Sequence, residues 1–155
     1  MATSGRGLRG FEIVVGLCLA GCPPVANPYL PPPEPDYDEF VARVQPVVGG
    51  SCAFLGCHGT HERALALYAV DFLRAEQPAG SPIDPVRMSD DELLWNYDAL
   101  RLRLIDETSA DDSALLLKCL DPALGGIEHA GGTVVFDSRD DHDFIVLHDW
   151  ISGGL

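Results

Sequence analysis

The sequence predicts one mostly helical domain with long glycine-rich loops. Its 155 residues suffice for a single domain with a real core, and not for two comfortable ones. Between residues 36 and 155, apolar positions recur at helical spacing behind acidic or hydroxyl residues, with one such segment at each end of the region. The stretches between them are rich in glycine and proline, and too long for a compact domain unless they wrap something that completes its core.

Along the chain, residues 1–21 read as an export signal. Arg6 and Arg9 precede the apolar run "IVVGLCLA", which is far too short to span a bilayer, and small residues follow it. Leu19-Ala20-Gly21-Cys22 resembles the lipobox of bacterial lipoproteins. That resemblance implies cleavage before Cys22, lipid on the Cys22 thiol and, with Pro23 in place of a retention aspartate, the outer membrane. Residues 22–35 hold seven prolines in the thirteen positions 23–35 and read as a stiff tether that keeps the domain off the membrane.

The folded domain spans 36–155. "DYDEFVARVQPVV" places Phe40, Val41, Val44, Val47 and Val48 on a helix behind acidic first-turn residues, with Pro46 expected to bend or end it and Gly49-Gly50 to release the chain. "HERALALYAVDFL" is apolar almost throughout, so helix and strand are not separable there. Ser89 and Glu92 form a capping-box pattern, and Leu93, Leu94, Tyr97, Leu100 and Leu104 follow as the apolar face of a helix. A shorter helix is expected in "DDSALLLKCL", an extended segment in "TVVF", and a final helix opened by Asp140 or Asp141, with Phe144, Leu147 and Ile151 inward and Gly153 as its cap.

Twenty-four acidic against ten basic residues give a net charge of −14, which disfavours nucleic acid and direct adhesion to anionic lipid, and favours a basic partner. No nucleophile motif or convincing carboxylate pair points to an enzyme, and the paired aspartates at 90, 111 and 140 suit helix starts.

The chemistry concentrates in "SCAFLGCHG", residues 51–59. Cys52, Cys57 and His58 admit three readings. The first is covalent haem attachment, in which two thiols add to the vinyl groups and the adjacent imidazole reaches the iron; the usual spacing is C-x-x-C-H, here lengthened by two residues. The second is a Cys52–Cys57 disulfide, and the third a zinc site with His61. The haem reading alone uses His58 as well as both cysteines.

With "FVARVQPVVGGSCAFLGCHG" opening the domain and "DDSALLLKCL", "HAGG" and "FIVLHDWISGG" following in order, residues 36–155 resemble the single-haem c-type cytochromes. The resemblance implies a cytochrome c-like helical domain folded around one covalent haem c. Cys52 and Cys57 would carry the thioethers and His58 would be the proximal iron ligand. His129, glycine-flanked in "GGIEHAGG", would be the distal ligand in preference to Met88. The implied role is that of an electron carrier in the bacterial cell envelope, lipid-anchored at the outer membrane and facing the periplasm. The redox partner would be basic, and membrane contact would come only through the N-terminal lipid. The rival reading is a haem-free envelope lipoprotein with a Cys52–Cys57 disulfide, acting as a binding or structural module. Cys119 reads as a small buried hydrophobe, and His142 and His148 as members of a solvated or salt-bridged helix face.

Overall fold

A computed structural model describes residues 31–76, 82–131 and 134–155. The signal segment 1–21, Cys22 and the first part of the tether lie outside the described residues, as do Gly132 and Thr133. The described chain is helical and contains no strand; its sole β-type pairing is an isolated parallel bridge between Leu120 and Phe136. None of its helices is long and apolar enough to cross a membrane.

Asp36 begins the domain by accepting the Glu39 N–H on its side chain at 2.6 Å. An uninterrupted helical run follows over residues 37–52. It alternates α1 (Tyr37–Glu39), a π-helical segment (Phe40–Val44), α2 (Gln45–Val47) and a second π-helical segment (Val48–Cys52). Pro46 does not end it. The wider π turn, closed from the Gln45 N–H to the Phe40 carbonyl, leads into α2, and Pro46 sits in the first turn of α2, where a missing donor is tolerated. Gly49 and Gly50 do not release the chain either: the run continues to Cys52 and closes with the Ala53 N–H on the Val48 carbonyl at 3.0 Å.

This run packs against α5 (His142–Gly154). Trp150 of α5 is fully buried, with its ring 5.5 Å from Phe40 and 6.2 Å from Tyr97, and its indole N–H donates to the Asp36 carbonyl at 3.0 Å. The Tyr97 hydroxyl donates to the Pro35 carbonyl at 2.7 Å, so the last tether residue is already part of the packed domain. Phe144, Leu147 and Ile151 point inward as expected. Asp141 is the N-cap, and the helix continues through Gly153 instead of being capped by it. A β-carbon on Gly154 would stand 2.6 Å from Pro35.

Ser89 and Glu92 do form the capping box of α3 (Asp90–Arg101), but the buried face of α3 differs from the expected one. Leu100 and Leu104 are inside, whereas Leu94 is half exposed and the fully buried places one and two turns earlier go to Asn96 and Glu92. Hydrogen bonding decides this. Asn96 accepts the Tyr68 N–H at 2.8 Å and donates to the Tyr68 carbonyl at 2.8 Å and to Gln45 Oε1 at 2.9 Å. Glu92 accepts from Arg74 Nε and Nη2 at 2.8 and 2.9 Å, and from the Ala75 N–H at 2.8 Å. The ambiguous apolar stretch around residues 61–73 is therefore neither helix nor strand. It runs as irregular backbone, part of whose hydrogen bonding is supplied by α3 side chains. The short helix α4 (Ala114–Leu117), capped by Ser113, forms where expected.

Burial opposes charge on Glu92, but the Arg74 guanidinium and the Ser89 and Ala75 amides outweigh it and lower its pKa to about 2 from 4.5. The stability this confers is complete above about pH 4.5 and is lost as pH falls toward 2. Glu92→Gln, which strands Arg74, is expected to cost about 3–5 kcal/mol at neutral pH, and to flatten the acid limb of stability against pH. Urea unfolding of both proteins at neutral pH and near pH 3 checks both outcomes.

Candidate functional site

The cysteine segment begins where the helical run ends. The Cys57 and Gly59 N–H groups both donate to the Phe54 carbonyl, at 2.8 and 2.9 Å, and the His58 N–H donates to the Cys52 carbonyl at 3.1 Å. The two residues that lengthen the motif are thus taken up in a closed turn, and the backbone of His58 is tied to that of Cys52. Gly59 is required by close approach, since a β-carbon there would lie 2.1 Å from the Ala53 carbonyl oxygen. The chain returns to His58 at Leu67, whose N–H donates to the His58 carbonyl at 2.8 Å.

Within that return loop, the Leu65 carbonyl stands 2.8 Å from His58 Nδ1. A carbonyl only accepts, so Nδ1 carries the proton and Nε2 keeps a free lone pair, the form in which imidazole binds a metal. Burial holds the His58 pKa down, the Leu65 bond opposes this, and His129, Arg63 and Arg103 lower it further. His58 is accordingly neutral at pH 7.

His129 arrives from the other half of the domain. Its segment is anchored by the Ile127 N–H on the Leu117 carbonyl at 2.8 Å and by a backbone contact at Gly126 so close that a β-carbon would lie 2.0 Å from the Leu120 oxygen. This glycine therefore serves the chain's own packing. The two imidazole rings meet at 5.8 Å between centroids, inclined by 68°. His129 Nδ1 is buried without a hydrogen-bond partner, an arrangement that native proteins rarely leave uncompensated.

The structure thus brings together His58 and His129, with Cys52 and Cys57 beside His58 in the chain. Met88 is used elsewhere: its sulfur accepts from Gln45 Nε2 at 3.2 Å, beside an apolar groove that also includes Val41, Phe54 and Phe72. His61 is exposed and faces Tyr68 at 6.0 Å. His142 is exposed, and His148 pairs with Asp111 at 3.3 Å and Asp149 at 3.7 Å. Among the described residues no group of three His, Cys, Asp or Glu side chains could hold a metal ion, so the zinc set of Cys52, Cys57 and His61 is not assembled.

Cys52, Cys57 and Cys119 are free thiols. Cys52 and Cys119 both pack against the core, where burial raises the first to about 12, with added repulsion from Cys119 and Cys57, and the second to about 11. Cys119 also donates its S–H to the Leu115 carbonyl at 3.4 Å, as suits a small core residue.

Sequence reasoning did not find Arg63 and Arg103. Arg63 donates to the Gly56 carbonyl at 3.1 Å, between the two cysteines, and Arg103 to the Ala64 carbonyl at 3.0 Å, next to Leu65. Neither bears a sequence signal, because both target backbone carbonyls that only the loop's path brings within reach.

The raised thiols have a direct consequence. At pH 8.5, Cys52 and Cys119 in the native chain should alkylate at least about tenfold more slowly than in urea, because only the thiolate reacts. Peptide mapping after a timed iodoacetamide pulse reads both rates.

No protein-family model, no curated protein and no solved structure matches this chain.

Proposed function

We propose that the chain is a monohaem c-type cytochrome: an electron carrier that holds one covalent haem c between His58 and His129. The observation that carries this reading is the 5.8 Å between the two imidazole centres. A metal bound to one nitrogen of each ring at about 2 Å would put the centres about 6 Å apart. Two protein ligands are too few for a bare ion, whereas a porphyrin would bring four nitrogens of its own and would take only two ligands from the chain. Three further features fit. His58 is neutral with Nε2 free, His129 has a buried nitrogen in want of a partner, and Leu55, Ile127 and Val134 near these residues in the chain are exposed apolar side chains that a macrocycle could cover.

The group when bound supplies one-electron chemistry at iron. The chain's own residues do the rest. Cys52 and Cys57 would hold the group through two thioethers, each made by adding an S–H across a vinyl group, an addition that needs no oxidant. The Leu65 carbonyl orients His58 and increases its basicity. His129 would supply a second imidazole, a ligand that favours electron transfer over oxygen chemistry and a lower potential than a methionine would give.

The export-signal pattern, the lipobox-like Leu19-Ala20-Gly21-Cys22 and the proline-rich tether support a lipid-anchored location at the outer membrane of the cell envelope, facing the periplasm. The net charge of −14 favours a basic redox partner whose association weakens with salt.

Chain expressed with a cytochrome c maturation system should give a pyridine haemochrome spectrum and a mass increased by one haem. Absence of covalent haem after adequate loading would overturn the proposal and leave the disulfide module as the better account. In loaded protein, His129→Ala should convert the low-spin spectrum to high-spin or ligand-exchangeable, and an unchanged spectrum would remove His129 as the distal ligand.

A further inference from the structure

We propose that Arg63 and Arg103 are positioning residues that clamp the loop beneath His58 and, as two cations without a carboxylate partner, bias the adjacent centre toward its reduced state. The inference rests on haem binding at His58 and His129, and adds to it what holds and tunes the proximal side.

The geometry starts from the loop 58–67. It carries the carbonyl that orients His58, yet its hydrogen bonds back to its own ends are few, chiefly Leu67 N–H to the His58 carbonyl. Arg103, from the 3-10 turn Leu102–Leu104 that follows α3, reaches across to the Ala64 carbonyl. The Ala64 carbonyl shares its peptide plane with the Leu65 N–H, so fixing it leaves only the two backbone torsions of Leu65 to set the Leu65 carbonyl that His58 uses. Arg63, from within the loop, bonds the Gly56 carbonyl in the cysteine turn and ties the loop to the segment that carries Cys57. One arginine thus anchors the loop to the α3 end, and the other to the attachment turn.

Their charge is the second part. The chain has 24 acidic residues, and the arginines at 43, 74, 101 and 139 each pair with a carboxylate. Arg63, Arg87, Arg103 and Lys118 have no such partner among the described residues; of these, Arg63 and Arg103 are the exposed cations that donate to carbonyls next to Cys57 and Leu65. An uncompensated cation beside a redox centre opposes the extra positive charge of the oxidised form, so electron uptake from the redox partner becomes more favourable. In a strongly acidic protein, where the overall field works the other way, two local cations at the proximal loop are a counterweight.

The test separates clamp from charge. In loaded protein, Arg63→Gln and Arg103→Gln should each lower the equilibrium constant for reduction by about two- to tenfold, where tenfold corresponds to about 59 mV for one electron. Arg→Lys at the same positions should restore most of that loss. The difference should shrink in 1 M salt, where screening acts over about 3 Å; a purely structural effect would persist. Potentials unmoved in both glutamine variants, or shifts insensitive to salt, would overturn the charge role. In the haem-free full chain, Arg103→Ala should speed amide exchange at Leu67 by about tenfold or more relative to wild type, and unchanged exchange would overturn the clamp. That measurement needs no haem, so it judges the clamp even if covalent loading fails and the cytochrome proposal falls.

Discussion

Two fully buried polar side chains on α3, Glu92 and Asn96, hold the irregular half of this domain in place. Each reaches backbone that has no helix or strand of its own to satisfy it: Asn96 takes both polar groups of Tyr68, and Glu92 takes Arg74 together with the Ala75 N–H. Arg74 extends the tie to the Asp84 and Arg87 carbonyls, so one carboxylate organises backbone on both sides of the segment 77–81. Buried polar groups so completely paired favour one arrangement strongly, because any other leaves a desolvated charge or amide without a partner.

The site follows from that constraint. Tyr68 is fixed against α3, the N-terminal helical run fixes Cys52, and the chain between must turn within these limits. The turn at 53–59 and the loop 58–67 are the result, and together they present a neutral His58 with one ring nitrogen committed to Leu65 and the other free. The opposite wall comes from the segment after α4, which is pinned to Leu117 and Leu120 and so delivers His129 to within 5.8 Å. Each half contributes one of the two imidazoles. The contact between the imidazoles is a product of the packing of both halves on the shared core formed with α5.

Several elements were legible because their signals are local. The cap residues Ser89 and Asp141 accept amides only a few positions away, and the inward face of α5 obeys helical periodicity, so both can be read from spacing. The buried face of α3 was not legible in the same way. Periodicity credits Leu94 and cannot credit Glu92 or Asn96, whose burial depends on partners 17 to 51 positions distant. Pro46 and the glycines at 49 and 50 misled for a related reason: a local rule says they break a helix, while π turns and packing against α5 carry the helical run through them to Cys52.

For the candidate site, the sequence by itself determined the chemistry available: two cysteines and a histidine in one short segment, a second histidine between glycine pairs, and the acidic balance of the whole chain. Tertiary structure decided which of these meet. It set His129 against His58, assigned Met88 to Gln45, left His61 on the surface, and brought Arg63 and Arg103 to bare carbonyls near the site. The physical reason is that residue type and spacing specify which atoms can donate, accept or ligate. Which atom each one reaches across some seventy residues depends on how the helices pack and where the loops between them are held.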